Sequence, residues 1–235
     1  MIAALFLGFL VGMQHALEAD HLAAVSSIVA RESDPRRIVR HGIVWGLGHA
    51  LTLMLFAGAV VLLDGTIGTE LAAVLEFAVG AMLVLLGGHV VWRLVRDRVH
   101  FHIHRHAQGT VHLHAHSHRG EGAHHDPDAH EHGHPRGFPV RTLLVGLMHG
   151  MAGSAALLIL SASVMPSAVL GFVYVAVFGV GSVLGMALLS AAISLPLSFS
   201  ARFLTGGQRA LQGLIGLGTV ALGVVTMVTT AAALP

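Results

Sequence analysis

Long apolar stretches dominate this chain, and six of them are long enough to cross a lipid bilayer as helices. A bilayer core of about 30 Å requires roughly 20 apolar residues in a helix. The six stretches are residues 2–29, 42–63, 70–92, 142–165, 167–197 and 209–233. The pattern therefore predicts an all-α, polytopic membrane protein with six transmembrane helices.

The composition agrees with this prediction and excludes several classes of function. Hydrophobic residues make up 54% of the chain and charged residues only 11%, whereas a soluble domain carries roughly 25% charged residues. The formal net charge is +1, so the chain lacks the broad positive surface that nucleic-acid binding requires. The absence of cysteine excludes disulfide scaffolds and thiolate metal sites.

A polar segment, residues 93–141, separates the third and fourth predicted helices. It contains 13 of the 19 histidines of the chain. Its composition predicts a solvated, largely disordered loop. The chain thus divides into a first three-helix half, residues 1–92, the His-rich loop, and a second three-helix half, residues 142–235.

The arginines indicate how the helices are oriented. All 13 basic residues are arginines, and they follow the first, third and fifth predicted helices. With six spans these three loops share one face, and basic residues collect on the cytoplasmic face. We therefore expect an integral protein of the cell (inner) membrane with both termini outside and the His-rich loop in the cytoplasm.

The two halves resemble each other at a nearly constant offset. Residues 10–15 (LVGMQH) align with residues 144–149 (LVGLMH), and residues 46–49 (GLGH) align with residues 179–182 (GVGS). A third match aligns Gly80 and Gly87 with Gly216 and Gly223. Because each half has three spans, the second half enters from the opposite face. The sequence therefore predicts an inverted repeat, the architecture of secondary transporters, whose sites lie between the repeats.

Four ionisable residues fall within seven positions of the first predicted helix: His15, Glu18, Asp20 and His21. Each costs roughly 2.5–3.5 kcal/mol to insert into a membrane, so such residues are functional candidates. On a regular helix with 100° per residue, Asp20 points away from the other three. Either the helix is distorted here, or Asp20 faces another helix or orients a ligating imidazole.

Two further histidines lie at a similar depth in other predicted helices. His49 and His149 are each about 12 Å from the predicted cytoplasmic end of their helix. Nitrogen and oxygen ligands without thiolate suit Ni²⁺, Co²⁺, Zn²⁺ or Mn²⁺. The predicted metal site consists of His15, Glu18, Asp20, His21, His49 and His149. The alternative for each histidine is a hydrogen bond that holds two helices together.

Two groups of candidates lie outside this site. Glu76, near the outer end of the third predicted helix, either lines an entrance or only reaches towards the membrane surface. The histidines of the loop alternate with other residues: His100, His102, His104, His106, His112, His114, His116 and His118. Alternating imidazoles in a flexible segment predict weak, multiple metal binding, as in a buffer or sensor. The alternative is a merely solvated linker.

The helical motifs resemble those of a known family. Residues 15–21 (HALEADH) match the HX4DH signature of the nickel/cobalt transporter superfamily, and residues 46–50 (GLGHA) resemble its second histidine motif. Residues 12–25 and 146–154 are similar to its short members known as urease-accessory nickel permeases. The resemblance implies transport of Ni²⁺ or Co²⁺, with His15, Asp20, His21 and His49 as substrate-binding residues.

These observations favour a secondary transporter over an enzyme. The metal ion, Ni²⁺ or Co²⁺ with Zn²⁺ as an alternative, is the substrate, and no cofactor is expected. The chain shows no Walker motif for ATP binding. The resemblance favours uptake, with a cytoplasmic metallochaperone as a partner of the loop. Related efflux proteins also have six spans and a His-rich loop, so export is the alternative. The sequence leaves the oligomeric state open.

Two other classes compete with transport. An intramembrane zinc hydrolase would use the same cluster to activate water, but the usual HEXXH signature is absent because positions 16 and 19 are alanine. A membrane-anchored metal chaperone would work mainly through residues 100–134. Deletion of the loop distinguishes it, since a transporter would keep its flux.

Overall fold

The computed structural model describes residues 2–62, 68–96, 100–105, 111–116, 139–150, 165–203 and 205–234. Apart from one hairpin, every element in these ranges is a helix. The helices are α1 (Ile2–His15), α2 (Ala19–Val29), α3 (Pro35–Leu62), α4 (Thr69–Arg96), α5 (Val140–His149), α6 (Ala168–Phe203) and α7 (Thr205–Ala231). The strands are β1 (His100–Arg105) and β2 (Val111–His116).

Four of the described helices, α3, α4, α6 and α7, are long and apolar enough to cross a membrane. The first predicted span is broken into α1 and α2, which bend by 53° relative to each other. The fourth predicted span begins as the ten-residue apolar helix α5, and its remainder, residues 151–164, lies outside the described residues. The structure therefore supports an all-helical membrane part, while the count of six spans stays a prediction.

The break between α1 and α2 occurs at the cluster of ionisable residues. After His15 the backbone makes tighter i→i−3 hydrogen bonds, from Leu17 N–H to the Gln14 carbonyl and from Glu18 N–H to the His15 carbonyl. Glu18 is extended, with φ −61° and ψ 147°, and occupies the N-cap position of α2 without a capping hydrogen bond from its side chain. The sequence left a distorted helix as one alternative, and the structure contains this distortion. It changes the direction in which Asp20 leaves the backbone.

Small residues let the central helices approach closely. α1 packs along α6, and α3 packs along both α5 and α6. Gly12 of α1 lies against the backbone carbonyl of Phe178, and Gly146 of α5 lies against the backbone carbonyl of Trp45. A side chain at either glycine would overlap the neighbouring backbone. Close packing of small residues is the usual means of helix association in membranes.

The buried side chains form separate apolar clusters on either side of the middle of α3. Trp45 packs with residues that include Ala24 and Met186. Leu53 packs in a second cluster, with residues that include Phe178. His49 lies on α3 one helical turn after Trp45 and one turn before Leu53, so both apolar clusters flank the level of His49.

The segment predicted as an irregular loop contains an antiparallel hairpin. Its register pairs His100 with His116, His102 with His114, and His104 with His112. The alternation of histidine with other residues has the two-residue period of a strand, which explains the difference from the prediction. Residues 92–138 form a compact unit apart from the helical unit of residues 1–91 and 139–235. The rest of the loop lies outside the described residues.

Candidate metal centre in the membrane helices

Four imidazoles meet where the break after α1, the middle of α3 and the end of α5 come together. The ring centres of His15 and His21 are 4.3 Å apart, and those of His21 and His149 are 4.5 Å apart. The ring of His49 lies 5.1 Å from that of His15 and 4.9 Å from that of His21. All four side chains are buried, with at most 4% of each residue exposed.

Two carboxylates bind the outer nitrogens of these rings. Glu18 Oε1 lies 2.8 Å from His15 Nδ1. Asp20 uses both oxygens: Oδ1 lies 2.7 Å from His21 Nδ1, and Oδ2 lies 3.0 Å from His149 Nε2. Because an ionised carboxylate only accepts hydrogen bonds, each of these nitrogens carries the proton. The structure thus brings together all six residues of the predicted site.

The proton positions leave lone pairs with nothing to bind. A neutral imidazole with one N–H has a lone pair on its other nitrogen. Because His21 Nδ1 and His149 Nε2 carry the protons, the lone pairs lie on His21 Nε2 and His149 Nδ1. His15 Nε2 lies 3.0 Å from His49 Nε2 and accepts a hydrogen bond from the N–H of His49, so His49 has its lone pair on Nδ1. These tautomers follow from the hydrogen-bond network.

All three of these nitrogens are buried and lack a hydrogen-bond partner in the described part of the chain: His21 Nε2, His49 Nδ1 and His149 Nδ1. Leaving a buried polar atom unpaired costs about 1–3 kcal/mol. The three atoms belong to neighbouring rings, whose centres are 4.5–5.8 Å apart, and a protein that keeps them unpaired gains from a ligand that takes their lone pairs. A divalent metal ion is such a ligand.

The geometry offers two overlapping sets of metal ligands. In the first set, one nitrogen from each of His15, His21 and His49 lies within 4.8 Å of the others. The second set joins Asp20, His21 and His149 within the same distance. His21 belongs to both sets. The second set is less enclosed, because 32% of the Asp20 side chain is exposed.

Trp45 also belongs to this centre, although the sequence pattern does not predict its role there. Its ring stacks on His49 at 5.3 Å between centres and 12° between planes. It also meets the rings of His21 and His149 nearly edge-on, both at 5.2 Å. A tryptophan in an apolar helix suggests only core packing, and the one available signal was its position one turn before His49.

The remaining predicted residues lie elsewhere. Glu76 is half-buried on α4 and belongs to neither ligand set. Six of the eight loop histidines fall in β1 and β2, whereas His106 and His118 lie outside the described residues. A further histidine, His41, binds Thr142 through its Nδ1 at 2.7 Å and joins α3 to α5. The sequence pattern around His41 does not indicate this contact.

Known proteins place these features in a family. A sequence model described as "High-affinity nickel-transport protein" matches residues 1–233. The chain is 35% identical over 203 residues to the urease accessory protein UreH of Bacillus sp. (strain TB-90), which covers 86% of this chain and 81% of that protein. No solved structure matches the chain. With its apolar helices and their buried histidine centre, the chain is an integral membrane protein of the high-affinity nickel-transport (NicO) family.

Proposed function

We propose that this protein is a secondary transporter that moves Ni²⁺ or Co²⁺ across the cell membrane through the histidine centre. One observation carries the proposal: three buried imidazole nitrogens, on His21, His49 and His149, have no hydrogen-bond partner among the residues that the structure describes. Nitrogen ligands of this kind suit both ions. Membership of a nickel-transport family favours transport over the zinc hydrolase and anchored-chaperone alternatives.

The residues of the centre have two roles when they replace the water shell of the ion. His21, His49 and His149 supply nitrogen ligands, and His15 supplies a fourth once the ion displaces its hydrogen bond to His49. Asp20 and Glu18 fix the tautomers from behind the rings, as outer partners of metal-binding histidines commonly do. Their negative charges also offset the charge of the ion in a medium where an unpaired charge is costly.

Symmetric contacts support the predicted inverted repeat. Gly12 and Gly146 are 134 positions apart, and Phe178 and Trp45 are 133 positions apart, which are the offsets of the two halves. Gly12 contacts the carbonyl of Phe178, and Gly146 contacts the carbonyl of Trp45. When each residue is replaced by its counterpart in the other half, the Gly12–Phe178 contact becomes the Gly146–Trp45 contact.

A second pair of contacts follows the same rule. Gly48 lies beside the carbonyl of Leu143, and Gly181 lies beside the carbonyl of Phe9. Positions 48 and 181, and positions 9 and 143, again differ by 133 and 134. The first half thus meets the second half through equivalent surfaces. This is the relation that alternating access by rocking of two halves requires.

The arginine pattern supports an orientation with both termini outside and the loop in the cytoplasm. The resemblance to nickel permeases favours uptake, and efflux is the alternative. In this orientation the loop histidines would buffer incoming metal and pass it to a cytoplasmic metallochaperone. Nickel accumulation in cells that express the protein separates the two directions, since uptake raises the cell content of nickel and efflux lowers it.

The site is tested by flux of radioactive nickel into proteoliposomes. His21→Ala, His49→Ala and His149→Ala should each reduce the initial rate at least tenfold, because each removes one of the unpartnered nitrogens. His89→Ala is the matched control, since His89 lies on α4 and is exposed, and it should keep the normal rate. Normal flux in all three variants of the centre would show that the ion travels by another route.

A further inference from the structure

Two aromatic residues enclose the histidine centre from different helices. Trp45 of α3 stacks on His49, and Phe178 of α6 lies against His15 with 5.3 Å between ring centres. Both are buried, Trp45 being 0% and Phe178 4% exposed. Each therefore contacts an imidazole of the centre directly and shields it from solvent.

The two rings lie on opposite sides of the centre. α3 and α6 run antiparallel, because Gly46 faces Met186 whereas Gly58, further along α3, faces the earlier residue Phe172. Trp45 belongs to the apolar cluster nearer the start of α3. Phe178 belongs to the other cluster, with Leu53, nearer the end of α3. Along α3, His49 lies one turn of helix, about 5–6 Å, after Trp45 and one turn before Leu53, beside which Phe178 packs.

The two aromatic residues are also counterparts in the two halves. They are 133 positions apart, and the histidines that they touch, His149 and His15, are 134 positions apart. Trp45 lies 5.2 Å from the His149 ring, and Phe178 lies 5.3 Å from the His15 ring. The same aromatic–imidazole contact is thus built twice, once on each side of the centre.

We infer that Trp45 and Phe178 are the two barriers of the ion path. Each closes one side of the centre, and each must move aside when the ion passes on its side while the other stays in place. The inference rests on the proposed transport and names the residue that forms each of its two barriers. Trp45 has a feature that favours its movement: its indole N–H is buried without an acceptor in the described part of the chain, which destabilises the closed position.

Thiol labelling tests the two barriers separately. The chain has no cysteine, so a single introduced thiol gives no background. Ser182→Cys is a suitable reporter, because Ser182 is fully buried, lies one turn after Phe178 and corresponds to His49 in the repeat. A charged, membrane-impermeant methanethiosulfonate reagent is added to right-side-out vesicles or to inverted vesicles, and the labelling rate is measured without nickel.

With both barriers intact, we expect slow labelling from either face. Trp45→Ala should raise the labelling rate at least tenfold from the face at the start of α3 only. Phe178→Ala should raise it from the opposite face only. Trp45→Leu is made alongside Trp45→Ala in case the smaller residue prevents folding, since leucine fills space but leaves the rings uncovered. Trp45→Phe keeps an aromatic ring and should label slowly, as should Trp92→Ala at the far end of α4.

The inference is overturned if both truncations open the same face, or if neither raises the rate in a folded protein. This result is independent of the flux assay. Barriers that open opposite faces in a protein without nickel flux would refute the proposed substrate and leave the barriers standing. Normal flux with unchanged labelling would refute the barriers alone.

Discussion

At the scale of single residues, the centre is a set of imidazoles whose protons are fixed by two acids. Asp20 holds the protons of His21 and His149 on the nitrogens that face it, and Glu18 does the same for His15. The lone pairs are thereby directed to the other side of each ring. For His21 and His149, the nitrogen that faces away from Asp20 would then be free of a proton and able to bind a metal ion.

Replacement of Asp20 should test this role. In Asp20→Asn one oxygen becomes an amide N–H₂ group, which cannot accept from an imidazole N–H, so His21 or His149 loses its partner. Loss of such an outer partner typically weakens metal binding 10–100-fold. Equilibrium dialysis of the purified protein against nickel measures the change in Kd. Asp34→Asn, an exposed residue in the turn before α3, is the control. An unchanged Kd in Asp20→Asn would refute the role.

At the scale of elements, the broken first span and the glycine contacts place the centre. The break after His15 lets Asp20 reach His149 of α5. Gly146 brings α5 against the backbone of α3 at Trp45, and His149 follows three residues later. The position of His149 therefore depends on a helix contact that tolerates no side chain.

A larger residue at position 146 should separate these helices. Gly146→Leu forces α5 away from α3, and overpacking of this kind costs about 1–3 kcal/mol or more. We expect a lower Tm in detergent and loss of nickel flux. Gly88→Leu on α4 is the matched control, because no atom lies within 4 Å of a Cβ at that position. Equal effects at the two positions would argue against the close contact.

By the repeat, Gly12 should tolerate a larger side chain as poorly as Gly146 does. Gly12→Leu meets the carbonyl of Phe178 as Gly146→Leu meets that of Trp45, so the two variants should lower Tm to a similar extent. Thermal unfolding of both variants in the same detergent measures this. A Gly12→Leu protein as stable as Gly88→Leu would count against equivalent surfaces in the two halves.

For the whole molecule, we propose two three-helix halves around the centre, with the arginine-containing loops on the cytoplasmic face. Single cysteines test this orientation. Ser33→Cys, in the turn before α3, should label from the cytoplasm, and Ser167→Cys, before α6, should label from outside; both positions are exposed. An impermeant thiol reagent applied to intact cells and to inverted vesicles gives the answer. Labelling of both positions from the same face would contradict six spans.

Much of this organisation could be predicted from the sequence, because burial of a charged or imidazole group in a membrane helix is costly and therefore conspicuous. The residue types, their spacing in the first helix and their depth predicted that these six residues would lie together, and their role in metal binding stays a prediction. The period of 100° per residue put Asp20 apart from the other three on an unbroken helix and so offered a distorted helix as one alternative, which the break after His15 provides. The role of Trp45 could not be predicted, because it depends on contacts with residues of other helices. The spacing of residues along one helix does not reveal such contacts.

The hairpin in the loop was missed for a different reason. The composition of residues 93–141 is that of a disordered segment, and composition outweighed the two-residue alternation of its histidines in the prediction. That alternation is the period of a strand, and it matches the register in which His102 pairs with His114. The loop's role as a metal buffer remains a proposal.

The central claim is that the buried imidazole nitrogens hold the transported ion. The most direct measurement is the nickel K-edge X-ray absorption spectrum of the purified protein, loaded with one equivalent of Ni²⁺ after deletion of residues 100–134 to remove the loop histidines. If these nitrogens hold the ion, the spectrum will show the scattering of at least three imidazole rings, reduced by one in His49→Ala. A shell of oxygen ligands that is the same in His49→Ala would contradict it.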